Sequence, residues 1–157
     1  MNLREADAVM HIIVNQFLTR EFLVITPYNA QKELIANRLR DAIRKRYSQG
    51  ESNVTVTFAN ERVHSVNTVQ GQEADVIIFG AVQTSELGFL KNKRRMNVAL
   101  THAKDRLVVV AHMALFRNRR GRKCLLAALL RKMEKITPLV NSKQLSTGFR
   151  LDFKRIV

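Results

Sequence analysis

The sequence predicts an α/β domain built on a parallel sheet with helices on both faces. Three observations carry this reading. The runs FLVIT at 22–26, VIIFGAV at 76–82 and RLVVVAH at 106–112 have continuous apolar stretches rather than alternating ones. Strands buried on both faces of a parallel sheet read that way. Between these runs lie stretches whose apolar residues recur at helical spacing, and alternating strands and helices mean a parallel sheet. The chain has 157 residues, 46% of them hydrophobic, enough for one domain with a real core.

The elements follow in order. Val9, Ile12, Ile13 and Phe17 recur at helical spacing and predict a helix over about 4–18. FLVIT is the first strand. Thr26 and Pro27 then read as the N-cap and first residue of a helix, with Ile35, Leu39, Ala42 and Ile43 as its stripe to about Tyr47. SQGESN is a loop. VTVTF at 54–58 is a candidate strand, and RVHSV at 62–66 a stronger one. VIIFGAV is the next buried strand. Met96, Ala99, Leu100 and Ala103 form one face of a helix over 93–103, and RLVVVAH follows as a strand. Leu126, Leu129, Leu130 and Met133 mark a last helix. The domain is expected to close near residue 137, leaving 138–157 as a tail of weak periodicity.

Charge is the strongest compositional fact. Lys and Arg number 27 against 13 acids, a formal net charge of +14. Eleven basic residues and one acid, Asp105, lie between Lys91 and Lys123, while the first half of the chain is nearly balanced. A polyanion is the natural partner, and single-stranded RNA or DNA fits best. One cysteine, Cys124, precludes an intrachain disulfide and a multi-cysteine metal site, which fits a cytoplasmic or nuclear protein. No apolar run nears the roughly 20 residues of a membrane span. No metal-ligand cluster is expected.

Polar groups gather at the strand ends, where ligands bind in open parallel sheets. In VITPYNAQ, Tyr28 and Asn29 would carry free N–H groups at a helix start, either a phosphate site or a plainly capped junction. In VNTVQGQEAD, Gly71 permits close backbone approach. Thr68, Gln70, Gln72 and Glu73 offer hydroxyl, amide and carboxylate groups there, or simply a polar turn. Arg95 and His102 stand seven apart on one helix face, about 10.5 Å along its axis.

Together these stretches resemble the second RecA-like domain of superfamily 1 helicases, in the group of the nonsense-mediated mRNA decay helicase. VITPYNAQ resembles motif IV. VNTVQGQEADVIIFGAV resembles motif V, and LGFLKNKRRMNVALTHAKDRLVVVAH resembles motif VI. NLREADAV resembles the lead-in to this domain, so the likeness covers about residues 2–135. It implies a RecA-like fold that closes one wall of an ATP site and one half of a single-strand track. By resemblance, Gln70, Gly71 and Glu73 would serve the nucleotide, and Thr26, Pro27, Tyr28, Asn29 and Thr68 the nucleic-acid backbone. Backbone contacts position a strand without reading its sequence.

The chain departs from the family pattern in three ways. It contains no G-x-x-x-x-G-K-[ST] and no acidic pair for Mg²⁺, so ATP and Mg²⁺ would be held mainly by a first RecA-like domain, upstream or in another chain. The segment that opens this domain in relatives, of Q-Y-R-M type, is not found. Motif VI reads Thr101-His102-Ala103 where the family has Thr-Arg-Ala. His102 thus holds the arginine-finger position and, with Arg95 two turns away, makes up the candidate catalytic pair. Histidine is shorter, offers at most two donors and cannot make arginine's bidentate contact. Three functions compete: half of an ATP-dependent helicase, a degenerate helicase domain kept for binding or scaffolding, and a standalone RNA-binding protein. The first two differ in whether a P-loop domain accompanies the chain and in what His102 does. The third predicts tight single-strand binding by the chain alone.

Overall fold

FLVIT forms a strand that is buried along its whole length, β1 (Phe22–Thr26). Its side chains alternate between two cores. Leu23 and Ile25 face one cluster, and Phe22 and Val24 face the other. The computed structural model describes residues 1–47, 53–69, 71–82, 88–118 and 121–134. Its four strands are β1, β2 (Val63–Ser65), β3 (Ala74–Gly80) and β4 (Ala103–Val110), in the order β2-β1-β3-β4, all parallel. The α/β parallel sheet expected from the sequence is therefore present.

Helices cover both faces. Helix α1 (Leu3–Ile12) starts at Asn2, whose side chain accepts from the Glu5 amide at 3.1 Å. A π-helical turn, Ile13–Phe17, continues it. Val9, Ile12, Ile13 and Phe17 fall on the face toward Val76 and Ile78, as their spacing predicts. The long helix α2 (Asn29–Tyr47) adds Ile35 and Leu39 to the same core. On the opposite face, Met96 of α4 (Lys93–Thr101) and Leu126 and Leu130 of α6 (Leu125–Glu134) cover Ile77 and Phe79. A short helix, α5 (Met113–Arg117), precedes α6 and was not expected from the sequence. At Gly121, an added Cβ would lie 1.7 Å from the Leu115 carbonyl oxygen, so the chain can pass α5 there only without a side chain.

One element differs in kind. VTVTF, expected as a strand, lies inside helix α3 (Asn53–Arg62). Alternating β-branched residues favour strands, but tertiary contacts override that preference. Only Val63–Ser65 pair with β1, while the helix brings Phe58 edge-on to Phe22 at 6.4 Å and buries Ala59. Arg62 closes this cluster, over the Phe22 ring at 5.7 Å and the Phe58 ring at 5.1 Å.

The remaining differences are boundaries. Thr26 is the last residue of β1 and not a helix cap. Its backbone is held by the sheet, where its carbonyl accepts from the Val66 amide at 3.0 Å. Helix α2 starts later, at Asn29, and the Tyr28 carbonyl accepts from Gln31 and Lys32. The helix expected over 93–103 ends at Thr101, because Ala103 pairs with Ala74 and pulls the chain into β4. The loop residues 48–52, Gln70, the Ala99 side chain and the tail with its expected boundary at 137 lie outside the described residues.

Candidate functional site

The parallel register sorts the expected site residues onto two opposite edges of the sheet. Thr26 pairs with Ser65 at the carboxyl end of β1 and β2. Ala74 pairs with Ala103 at the amino end of β3 and β4. The stretch VNTVQGQEAD runs from the first edge to the second. It leaves β2 at the carboxyl edge and enters β3 at the amino edge, with Val66 and Val69 buried on the way. Both ends of the motif V stretch are therefore anchored, and at different edges.

At the carboxyl edge, the Thr68 amide donates to the Ser65 carbonyl at 2.9 Å, and its hydroxyl donates to the same oxygen at 3.1 Å. The Ser65 amide donates back to the Thr68 hydroxyl at 3.1 Å, so Thr68 closes the turn after β2. The Thr26 side chain is fully buried, and its hydroxyl lacks a partner among the described residues. Pro27 is buried, Tyr28 half-buried and Asn29 exposed. The structure thus brings Thr26 to Asn29 and Thr68 together. A cavity of about 740 Å³, lined by Arg4, Tyr28, Gln31 and Val82 among others, opens along the same edge.

At the amino edge, Gly71 takes a φ of +82°, the left-handed region that favours glycine. The Gln72 amide closes the turn onto the Val69 carbonyl at 3.1 Å. His102 follows α4 and turns its Nδ1 to the Gln72 carbonyl, while its own carbonyl accepts from the Ala74 amide at 3.3 Å. Motif V and motif VI meet at this point, with exposed Glu73 between the two contacts. A carbonyl only accepts, so Nδ1 carries the proton of that bond. In the neutral ring Nε2 is then an acceptor.

Arg95 does not join His102. It sits in the first turn of α4, where its amide donates to the Asn92 side chain at 3.1 Å. Its guanidinium lies over the Phe89 ring at 5.2 Å, and Phe89 in turn meets Tyr28 edge-on at 6.3 Å. The helix therefore carries Arg95 toward the carboxyl edge and delivers His102 to the amino edge. Seven residues of helix share a face but separate the two groups by about two turns.

The sequence reading missed one buried acid. Glu5 lies on the apolar face of α1, with 6% of its surface exposed. One carboxylate oxygen accepts from the Val82 amide at 2.5 Å and the other, Oε1, is buried without a partner among the described residues. Burial pushes this carboxyl up to about 7 from an ordinary value of 4.5, and the Val82 hydrogen bond opposes the shift. Val82 is held at a φ of +62°, rare for a β-branched residue. Asn2 also donates to the Val82 carbonyl, at 3.3 Å, and exchanges hydrogen bonds with the Gln31 amide. The signal was available: Glu5 and Val9 are four apart, so an acid occupies the buried stripe.

Among the described residues, no group of three or more His, Cys, Asp or Glu side chains could hold a metal, and no helix is long and apolar enough to cross a membrane. The acid in the basic stretch, Asp105, pairs with Arg106 at 3.3 Å and Arg20 at 4.0 Å. Lys91, Lys93, Arg94 and Arg95 are all exposed.

An all-parallel sheet with helices on both faces, joined across its edges by a motif V and motif VI pair, defines a RecA-like helicase domain. The AAA domain family matches residues 1–114. The chain belongs to this family, among superfamily 1 helicases of the nonsense-mediated-decay type. It is similar to the regulator of nonsense transcripts 1 homolog of Neurospora crassa, 34% identical over 71% of this chain and 10% of the relative. It is similar also to the RNA helicase aquarius of Mus musculus, 33% identical over 74% of this chain and 8% of the relative. A third relative is the DNA polymerase alpha-associated DNA helicase A of Schizosaccharomyces pombe, 38% identical over 58% and 12%. The chain spans only a small part of the length of these relatives.

Proposed function

We propose that this chain is the second RecA-like domain of an ATP-dependent helicase, presenting a strand-binding edge and a nucleotide-facing edge on opposite sides of one sheet. The observation that carries this reading is the path of residues 66–73. They start beside Thr26 at the carboxyl edge and end locked to His102 at the amino edge. A strand seated on the first edge and a nucleotide at the second are thereby coupled through eight residues. Tyr28, Asn29 and Thr68 would serve the backbone of single-stranded RNA or DNA, with buried Thr26 and Pro27 positioning them at the edge. Gly71, Glu73 and His102 would face the nucleotide, and by resemblance Gln70 would serve it too.

The residues present do not complete a nucleotide site. Glu73 would accept from ribose hydroxyls and His102 would face the phosphoryl group, but the described residues hold no phosphate cradle and no acidic cluster for Mg²⁺. A P-loop domain, in the same protein or another, would supply both. His102 has one proton engaged by Gln72, so it can donate to a phosphoryl oxygen only as the imidazolium. The cell compartment consistent with this role is the cytoplasm or nucleus. A degenerate domain kept for strand binding differs only at the amino edge, and His102 is what favours it.

The test is a titration of fluorescent single-stranded oligonucleotide with the chain across a salt series. Each phosphate contact contributes about −0.7 to the slope of log affinity on log salt for single strands. A slope of about −2 or steeper is expected. A flat dependence would refute strand binding through the basic edge.

A further inference from the structure

We propose that Arg95, set over the Phe89 ring, is a stacking shelf for an unpaired base of a bound single strand. The proposal rests on the strand-binding reading above and adds a contact to the bases. Arg95 is exposed, so the guanidinium face away from Phe89 looks outward. Guanidinium planes stack on nucleobases as aromatic rings do, and an aromatic ring beneath a guanidinium limits the orientations it samples. Phe89 is itself fixed by the edge-on contact with Tyr28, whose hydroxyl lies 3.5 Å from the Phe89 amide. Tyr28 follows β1 directly, so the shelf continues the carboxyl edge where Thr26 to Asn29 and Thr68 gather.

Charge complementarity names the occupant. Lys91, Lys93 and Arg94 are exposed around Arg95 and provide phosphate contacts on either side of a stacked base. Tyr28 and Arg4 also line the cavity along this edge, which leaves open space for the adjoining strand. Stacking on Arg95 tolerates any base, since every base has a π-face, so the shelf adds affinity without reading sequence.

Two 12-nucleotide strands decide the matter, oligothymidylate and an abasic oligomer of equal length, each titrated with the chain by fluorescence anisotropy. The chain is expected to bind the thymidylate roughly fivefold or more tightly than the abasic strand. Arg95→Lys keeps the charge but not the plane. It should bind the abasic strand as the parent does and lose most of the preference. Phe89→Leu should lose the preference as well, and Phe89→Tyr should keep it. Equal affinity of the parent for both strands, or a preference that survives Arg95→Lys, overturns the shelf. Equal and salt-dependent binding would leave the strand-binding edge standing. Failure of both strands to bind would overturn the edge and the shelf together.

Discussion

Replacing Glu5 by glutamine should stabilise the protein strongly at pH 8 and only by about 1 kcal/mol at pH 5. The carboxyl is buried, with one oxygen on the Val82 amide and the other without a partner among the described residues. Its folded-state value is raised to about 7 against 4.5 ordinarily. Below 4.5 both the folded and unfolded states hold the proton. Between 4.5 and 7 the folded state keeps a proton that the unfolded state has released, so stability falls as pH rises. Above 7 both are ionised and the full penalty of the buried charge is present, about 3 kcal/mol from these two values. Glutamine keeps an oxygen for the Val82 amide and carries no charge at any pH. Urea unfolding of both proteins at pH 5 and pH 8 measures the effect, and comparing them cancels every other titrating group. The variant should gain up to about 3 kcal/mol at pH 8. A difference between variant and parent that is the same at both pH values would refute the reasoning.

Three further outcomes follow from the same geometry. Alanine at Gly71 meets no atom within 4 Å but must adopt a φ of +82°, so melting should reveal a loss of about 1 kcal/mol, whereas Gly121→Ala collides with the Leu115 carbonyl and should lose about 3 kcal/mol or more. The chain alone should release no phosphate from ATP with single-stranded RNA present, and turnover that survives repurification would contradict this. When the chain is combined with a P-loop domain of its family, His102→Arg should raise kcat about tenfold or more with strand affinity little changed; an unchanged kcat with unchanged melting would remove His102 from the phosphoryl group.

Most of the fold was legible because buried parallel strands are continuous apolar runs. FLVIT became β1 at the expected residues, and the α1 stripe from Val9 to Phe17 packed as its spacing implies. VTVTF failed because period-2 alternation of β-branched residues says nothing about the Phe22 ring that Phe58 meets. The two-edge arrangement was not legible either. Sequence order places Thr68 and Glu73 five residues apart, and only the strand register reveals that the chain crosses the sheet between them. For the same reason Arg95 and His102 look like partners on a helix face, while the fold gives one to Phe89 and the other to Gln72. Glu5 was visible as an acid in an apolar stripe, but its partner, Val82, is 77 residues away.

Strand and nucleotide are proposed to use opposite edges of one sheet. Backbone amide chemical shifts, recorded while a single-stranded oligonucleotide is added to the chain, test this most directly. The largest changes should fall on 28–29, 65–68 and 89–95, at the carboxyl edge. Residues 71–74 and 102, at the amino edge, should move less. Largest changes at Gly71, Glu73 and His102, with Tyr28 and Thr68 unmoved, would contradict it.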